Sequence, residues 1–234
     1  MPIFCVFAVI YIFIKSAKAN EFQIENELVQ QLTKFSIIIK GIPAALAMIF
    51  VLIQPVPTQW TFPYISLFHF LLAGAFLFCM AGDLGMEKGL LPGLSLFLVA
   101  QILFNLAFIY QTLVIGPTIP ALIISLIVVA GMMILISLLL RYLESSEPKL
   151  GKFKIPGIIY FVFISLMLAS AVLLWMTSQA LEFGIVVIGG LLFVISDSNI
   201  GIKEFHHVIS YRELKVMSTY YGAILLLSLS VLFI

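Results

Sequence analysis

Long apolar stretches separated by short polar connections run through the whole sequence. Most are close to the roughly 20 residues that an α-helix needs to cross a bilayer. Pro or Gly marks many of the connections, as is typical where helices end. The pattern predicts one integral membrane domain that covers residues 1–234 and contains eight helices. Their predicted spans are about residues 3–14, 35–53, 64–82, 91–112, 119–140, 156–176, 182–200 and 215–234.

The composition agrees with this pattern. Hydrophobic residues make up 63% of the chain, charged residues only 10%, and the mean hydropathy is +1.22, whereas soluble domains carry about 25% charged residues. The chain is therefore expected to be an all-α polytopic membrane protein, a bundle of about eight transmembrane helices. A net charge of +1 gives no indication of a nucleic-acid partner.

The first apolar stretch has two interpretations. It ends at Lys15 and Lys18, and the segment Ala17-Lys18-Ala19 would suit the cleavage site of a signal peptide. However, no basic segment precedes the stretch, and a lysine lies beside the cleavage position. We therefore expect the stretch to be retained as the first helix, with cleavage as the alternative.

All twelve Lys and Arg residues lie on alternate connections or beside them. By the positive-inside rule the basic connections face the cytoplasm, so both termini are expected on the opposite side. A missed or extra helix would disrupt the alternation, which supports the number of eight. The basic groups are Lys15, Lys18, Lys34 and Lys40 at the first connection, Lys88 at the third, Arg141, Lys149, Lys152 and Lys154 at the fifth, and Lys203, Arg212 and Lys215 at the seventh.

Polar residues inside the apolar stretches converge on the cytoplasmic level of this arrangement. Asp197 lies between Ser196 and Ser198 in an otherwise apolar run. An ionisable group within a spanning helix costs roughly 2.5–3.5 kcal/mol, so we expect Asp197 to have a partner and a function. Asp83 lies at the same level, at the end of the third helix. Further polar residues lie within about two turns of this level, namely Lys40, Tyr160, Tyr220 and Tyr221, while Asn105 lies deeper, near the middle of the fourth helix.

Each of these residues also has a purely structural interpretation. Asp83 could be a surface carboxylate at a helix end, and Lys40 could extend to the lipid headgroups. The tyrosines could belong to an interfacial aromatic belt, and Asn105 could link two helices by hydrogen bonds. Their common depth is what favours a site.

Few types of catalytic chemistry are available. The chain has no G-x-S-x-G or H-E-x-x-H motif and no paired nucleophilic Cys and His. Cys5 and Cys79 lie in apolar stretches and are expected to be packing residues, and His206 and His207 have no plausible set of metal ligands beside them. We therefore expect neither a metal nor another cofactor. Two aspartates on different helices can instead divide the roles of general acid and general base.

Several segments resemble the lysoplasmalogenase family of YhhN-like membrane proteins. The resemblance runs through most of the second to eighth helices and implies an eight-helix enzyme. Such an enzyme hydrolyses the vinyl ether bond of lysoplasmalogens to a fatty aldehyde and glycerophosphocholine or glycerophosphoethanolamine. The segments are Gly190-Leu-Leu-Phe-Val-Ile-Ser-Asp-Ser198 with Thr219-Tyr-Tyr221 behind it, Ala81-Gly-Asp83, and Lys40-Gly-Ile-Pro43.

Two features depart from the family pattern. Gly41 and Ile42 separate Lys40 from Pro43, whereas in the family the proline usually follows the lysine directly. Asn105 stands where a histidine is common. Because an amide does not titrate near neutrality, Asn105 could bind the substrate but could not relay a proton.

The resemblance implies that Asp83 and Asp197 are the catalytic residues. One aspartate would protonate the β-carbon of the vinyl ether and the other would accept a proton from water; Asp197 is favoured as the acid because it is embedded more deeply. Lys40 would either offset charge or contact the substrate phosphate. The expected partners are a lysophospholipid substrate and membrane lipids. The residues expected to contact the substrate are Lys40, Asn105, Tyr160, Ser196, Ser198, Tyr220 and Tyr221.

Two other classes of membrane protein bury aspartates in a similar way. An intramembrane aspartyl protease has two catalytic aspartates on neighbouring helices, but its Tyr-Asp and Gly-x-Gly-Asp motifs are absent, since Asp197 follows Ser196 and Asp83 follows Ala81-Gly82. A small proton-coupled lipid or solute transporter also needs intramembrane Asp and Lys. The lack of a sequence repeat, and charges near one face rather than at the midplane, count against a transporter.

Overall fold

The chain folds as a helical bundle. The computed structural model describes residues 2–18, 27–54, 66–144, 151–205 and 212–233, and these residues contain no strand. The fold class predicted from the hydropathy pattern is therefore confirmed. The described helices are α1 (Pro2–Lys18), α2 (Glu27–Ile53), α3 (Leu67–Lys88), α4 (Leu90–Ile115), α5 (Ile119–Glu144), α6 (Lys154–Ser178), α7 (Gly184–Phe205) and α8 (Arg212–Leu229), with short 3₁₀ turns at Gly151–Phe153, Leu181–Phe183 and Ser230–Phe233.

Six of these helices, α3 to α8, are long and apolar enough to cross a membrane. Within the described residues, α1 and α2 contribute shorter apolar segments, Ile3–Ser16 and Ile39–Ile53. An unbroken apolar segment of about 20 residues is best accommodated in a bilayer as a helix, because a helix satisfies its own backbone hydrogen bonds. The chain is thus an integral, multi-pass membrane protein.

Each predicted span overlaps one helix, but several helices extend beyond their apolar part. α2 begins at Glu27 rather than near residue 35, and α3 continues to Lys88 rather than ending near residue 82. Hydropathy reports where the chain is apolar, whereas a helix continues until its backbone hydrogen bonds end. α3 ends because Gly89 has a φ of 146°, which L side chains rarely adopt. Outside the described residues lie residues 64–65 and Ile234, from two predicted spans, and His206 and His207.

Contacts between distant helices close the bundle. The most extensive contacts join α3 to α4, α7 to α8 and α2 to α3. α6 packs against both α4 and α7, and α1 packs against α2 and α8. α5 packs mainly on α6 and leaves apolar side chains exposed, as expected of a surface in contact with lipid. They include Leu122, Ile123, Leu126, Ile127, Ile134 and Leu135.

An aromatic cluster lies between α3, α4, α7 and α8. The ring centroid of Phe104 lies 5.3 Å from that of Phe76 and 6.3 Å from that of Phe193. The Tyr220 ring contacts Phe97 and Phe193 at 5.8 and 5.6 Å. All four contacts are edge to face, the arrangement that the charge distribution of aromatic rings favours. The ring of Tyr220 is therefore held in place on two sides.

Two glycines allow α3 and α4 to approach closely. A Cβ atom added to Gly85 would lie 3.1 Å from both the Cα and the nitrogen of Gly93. A Cβ atom added to Gly93 would lie 2.9 Å from the backbone nitrogen of Met86. Backbone atoms cannot rotate away as side chains can, so these positions have no room for a larger residue. The approach places the C-terminal end of α3, which carries Asp83, against the start of α4.

We expect Gly85→Ala to destabilise the protein, because the added methyl group must push the α4 backbone away. Overpacking of this kind typically costs about 1–3 kcal/mol. The measurement is the thermal unfolding midpoint of the purified protein in detergent. Gly131→Ala on α5 is the control: a Cβ atom there would meet nothing within 4 Å, and alanine is the better helix former. Equal midpoints for the two variants would contradict the proposed close approach of α3 and α4.

Candidate active site

Asp83 lies near the C-terminal end of α3 and is 2% exposed. Its carboxylate accepts a hydrogen bond of 2.9 Å from the Tyr220 hydroxyl of α8. The Lys40 ammonium group of α2 lies 3.9 Å from the other carboxylate oxygen and donates a 3.2 Å hydrogen bond to the Asp83 carbonyl. A charge buried away from water is tolerated only when it is paired and hydrogen-bonded. Residues from α2 and α8 provide both kinds of partner.

Glu87 extends this charged group toward the end of the bundle. It lies four residues after Asp83 and therefore on the same face of α3. Its carboxylate lies 3.8 Å from the Lys40 ammonium and 3.5 Å from the Lys15 ammonium of α1. Four side chains of alternating charge thus connect α1, α2 and α3.

Asp197 lies on α7, where the Tyr160 hydroxyl of α6 donates a hydrogen bond to its carboxylate. Tyr160 is itself buried, at 4% exposed, so the bond links two helices inside the bundle. The neighbouring residue, Ser196, donates a hydrogen bond of 3.1 Å to the Val216 carbonyl of α8. Because α7 is held to α6 and to α8 at adjacent positions, the orientation of Asp197 is well defined.

A cavity of about 320 Å³ brings the two aspartates to a common space. It lies between the C-terminal parts of α1, α3 and α7, the starts of α4 and α8, and the middle of α2. Five acidic side chains and two lysines line it, along with mostly apolar residues. The lining residues are Lys15, Lys40, Asp83, Met86, Glu87, Gly89, Leu90, Phe97, Ser196, Asp197, Ile200, Glu204, Glu213, Val216, Met217 and Tyr220. We call this space the polar cavity.

An apolar groove adjoins the polar cavity and lies between α4, α5, α6 and α7. Six residues, among them Asp197 and Phe97, line both spaces. Asp197 therefore lies where a polar and an apolar space meet. The groove is lined by Met86, Leu90, Leu91, Leu94, Phe97, Leu140, Leu143, Phe153, Pro156, Gly157, Tyr160, Phe161, Asp197, Ile200, Gly201, Glu204 and Phe205.

A family model described as the YhhN family matches residues 35–231. The chain belongs to the YhhN family. This is the family of lysoplasmalogenases, as the sequence resemblance predicted. The match includes both aspartates and excludes α1. No curated protein and no solved structure matches the chain.

Six of the residues that the sequence predicted for the site line the polar cavity or the groove of this YhhN-family protein. They are Lys40, Asp83, Tyr160, Ser196, Asp197 and Tyr220. Asn105, Ser198 and Tyr221 do not line either space. A common depth along the helices therefore selected mostly residues that line one of the two spaces. It did not show which way each side chain points.

The position of Asn105 departs from the prediction that it contacts the substrate. Its amide nitrogen donates hydrogen bonds to the carbonyls of Gln101 and Phe163, at 2.9 and 3.1 Å, and its oxygen accepts one of 3.2 Å from Ser170. These bonds tie α4 to α6 and occupy both ends of the amide. The alternative interpretation, a hydrogen-bonded link between helices, describes Asn105 better.

Tyr221 and Ser198 also depart from the prediction of substrate contact. The Tyr221 hydroxyl donates a hydrogen bond of 3.1 Å to the Lys40 carbonyl, so this side chain fixes α8 against α2 one position away from Tyr220. Consecutive helical residues point about 100° apart, and Tyr221 lies on the side of α8 that faces α2, whereas Tyr220 lines the polar cavity. Ser198 lines neither the cavity nor the groove.

Four charged residues of the polar cavity were not singled out from the sequence, namely Lys15, Glu87, Glu204 and Glu213. Glu87 carried a signal, since its spacing of four from Asp83 puts both carboxylates on one helix face. Glu204 and Glu213 lie seven residues from Asp197 and Tyr220, a spacing that also returns to the same helix face. Lys15 carried no such signal, because its place in the site depends on how α1 packs. Of the described residues, no group of three or more His, Cys, Asp or Glu has a geometry that could hold a metal ion.

We expect Lys40→Met to destabilise the protein by about 3–5 kcal/mol, because it leaves the buried Asp83 carboxylate without its cation. In the double variant Lys40→Met/Asp83→Asn much of this loss should be recovered, since no uncompensated charge is then buried. Unfolding of the purified protein in detergent measures both. Lys154→Met is the control, because the ion pair of Lys154 with Glu144 is largely exposed, and such pairs contribute about 0–1 kcal/mol. A double variant less stable than Lys40→Met would contradict this assignment.

Proposed function

We propose that this protein is a lysoplasmalogenase, which hydrolyses the vinyl ether bond of a lysoplasmalogen to a fatty aldehyde and glycerophosphocholine or glycerophosphoethanolamine. Membership of the YhhN family suggests a hydrolase. The observation that carries the proposal is the position of Asp197 at the junction of the polar cavity and the apolar groove, with Asp83 lining the same cavity.

The two adjoining spaces match the two parts of a lysolipid. The hydrocarbon chain would lie in the apolar groove, and the glycerophosphate headgroup would lie in the polar cavity. In a lysoplasmalogen the vinyl ether joins these two parts, so it would lie at the junction, beside Asp197. Residues of α4, α5, α6 and α7 line the groove, and entry between two of these helices would let the substrate come directly from the membrane.

The charges of the polar cavity support a zwitterionic headgroup. A phosphate needs cationic or hydrogen-bonding partners, and Lys15 and Lys40 line the cavity. Five carboxylates also line it, and these would favour a headgroup that carries a positive charge besides the phosphate. Choline and ethanolamine both meet this requirement.

The proposed reaction is acid–base hydrolysis. Asp197 donates its proton to the β-carbon of the vinyl ether, which produces an oxocarbenium ion at the carbon next to the ether oxygen. Water adds to that carbon and gives a proton to the Asp83 carboxylate. The product of this step is a hemiacetal. Asp197 is now ionised and Asp83 is now protonated.

Collapse of the hemiacetal completes the cycle. The bond between the former vinyl carbon and the glycerol oxygen breaks, and this oxygen takes the proton from Asp83. The hemiacetal hydroxyl returns a proton to Asp197 as the aldehyde forms. Paired carboxylates divide the roles of acid and base in the same way in glycoside hydrolysis, which also passes through an oxocarbenium-like transition state.

Individual contacts support these roles. The Tyr160 hydroxyl donates to the Asp197 carboxyl group and would keep it pointed at the junction. Lys40 and Tyr220 supply a cation and a hydrogen-bond donor to Asp83, which suits a carboxylate that must be ionised to accept a proton. Lys40 in this scheme offsets charge at Asp83.

We also propose that the polar cavity opens toward the cytoplasm. Lys15 and Lys88 lie in the last turns of α1 and α3, at the end of the bundle that holds the cavity, and Arg141 and Lys154 lie at the ends of α5 and α6 beside the groove. The positive-inside rule places this basic end in the cytoplasm and both termini on the other side. The substrate would then come from the cytoplasmic leaflet.

We expect Asp83→Asn and Asp197→Asn each to lower the rate of vinyl ether cleavage at least about 100-fold, since each removes a group that transfers a proton. The assay gives the purified protein a lysoplasmalogen, its saturated alkyl ether analogue and an ester lysophospholipid, and measures aldehyde release. The wild-type protein should release aldehyde from the lysoplasmalogen alone, because the other two lack the vinyl ether carbon–carbon double bond that is protonated.

Glu182→Gln is the matched control, because it also removes one carboxylate. Glu182 is exposed and precedes α7 at the opposite end from Asp197, so this variant should keep full activity. Aldehyde release by both aspartate variants at the wild-type rate would refute the mechanism. No aldehyde from the wild-type protein with any of the three lipids would refute the proposed function.

A further inference from the structure

Lys15 reaches the polar cavity from α1, a helix that lies outside the family match at residues 35–231. Its side chain is 22% exposed, and its ammonium group lies 3.5 Å from the Glu87 carboxylate. The cavity is thus completed by a residue that the matched segment does not contain.

The packing of α1 holds Lys15 in this position. One turn before it, Tyr11 is 1% exposed and packs edge to face against Tyr221, with ring centroids 6.0 Å apart. Ile14, next to Lys15, is also 1% exposed. α1 contacts both α2 and α8. Lys15 therefore extends from a well-packed helix and not from a loosely attached one.

The two lysines of the cavity differ in how many oxygen partners lie near the ammonium group. An ammonium group has three N–H donors and no acceptor. Lys40 has three oxygen partners: the Asp83 carbonyl at 3.2 Å, the Asp83 carboxylate at 3.9 Å and the Glu87 carboxylate at 3.8 Å. Within the described part of the chain, Lys15 has one acidic partner, Glu87. Lys15 thus has fewer oxygen partners than Lys40 and is the lysine that more readily takes up a new anionic partner.

We propose that Lys15 binds the phosphate of the lysolipid headgroup, so that α1 forms part of the substrate site. This inference rests on the proposed function and deepens it. The two lysines then have different roles: Lys40 offsets the charge of Asp83, and Lys15 binds the phosphate of the substrate. Glu87, through its ion pair with Lys15, keeps the Lys15 side chain directed into the cavity.

The first test measures binding and does not depend on catalysis. The ligands are an alkyl ether lysophosphatidylcholine, which has no vinyl ether to cleave, and the matching 1-O-alkylglycerol, which lacks the phosphate. Both are titrated into the full chain in lipid nanodiscs. We expect Lys15→Gln to weaken binding of the phospholipid about tenfold, the effect of losing one charge-assisted hydrogen bond, and to leave alkylglycerol binding unchanged.

Two further variants serve as controls. Lys15→Arg keeps the cation and should retain most of the affinity for the phospholipid. Lys88→Gln removes a lysine that is exposed, adjacent to Glu87 and absent from the lining of the cavity, and should bind like the wild-type protein. Equal losses for phospholipid and alkylglycerol, or no loss for either, in Lys15→Gln would overturn the proposal.

Inorganic phosphate at millimolar concentration identifies the source of the bound phosphate group. A lipid headgroup site should keep its phospholipid in the presence of the free ion, because the hydrocarbon chain supplies much of the affinity. Displacement of the phospholipid by inorganic phosphate at concentrations similar to those of the lipid would instead indicate a site for free anions and would overturn the assignment to a headgroup.

The second test uses catalysis. For cleavage of a lysoplasmalogen, Lys15→Gln should raise KM about tenfold with little change in kcat, whereas cleavage of the phosphate-free 1-O-alkenylglycerol should be unaffected. A fall in kcat on both substrates would point to a structural role for Lys15 and would refute the proposal. If the wild-type protein cleaves neither substrate, the proposed function fails, and the binding test still decides the role of Lys15.

Discussion

The buried carboxylate of Asp83 is the constraint on which the site depends. At 2% exposure this group has little contact with water, so its partners must come from the protein. Lys40 and Tyr220 meet this need from α2 and α8, and the same three helices then border the polar cavity. The Lys40 carbonyl in turn accepts the hydrogen bond of Tyr221, and Tyr221 packs against Tyr11 of α1. One requirement, the pairing of a buried charge, thus organises α1, α2, α3 and α8 around a common space.

The remaining helices line an apolar space, the groove, in contrast to the charged polar cavity. α4, α5 and α6 contribute almost only apolar side chains to the groove, and α5 is held chiefly by α6. α7 forms a wall of both spaces and carries Asp197 at their boundary. An amphiphilic substrate bound across this boundary would bring the bond between its polar and apolar parts to Asp197. Water for hydrolysis of that bond would come from the polar cavity, and the hydrocarbon chain would lie in the apolar groove.

The same packing gives neighbouring residues different tasks. Tyr220 contacts the catalytic candidate Asp83, whereas Tyr221 holds α8 against α2, because successive residues on a helix face different directions. Asn105 and Gln101 lie one turn apart on α4, and the hydrogen bonds of Asn105 join α4 to α6. Ser196 similarly joins α7 to α8 while it lines the cavity. Hydrogen bonds between helices thus help to fix the positions of the two aspartates relative to each other.

Hydropathy and charge along the chain were sufficient to predict an eight-helix membrane bundle, because the bilayer demands long apolar helices and the insertion process sorts basic connections to one side. They also predicted that Asp83, Asp197, Lys40 and the tyrosines share one level, since depth follows from the number of residues along each helix. Which residues meet at that level was decided only by the tertiary structure. Rotation of each helix about its axis and the choice of its neighbours leave little trace in a single sequence. They turned Asn105, Ser198 and Tyr221 away from the cavity and brought in Lys15, Glu204 and Glu213. The rotation of each helix and the identity of its neighbours are determined by contacts between helices, which pair buried charges and fill space. The depth of a residue in the membrane does not determine them.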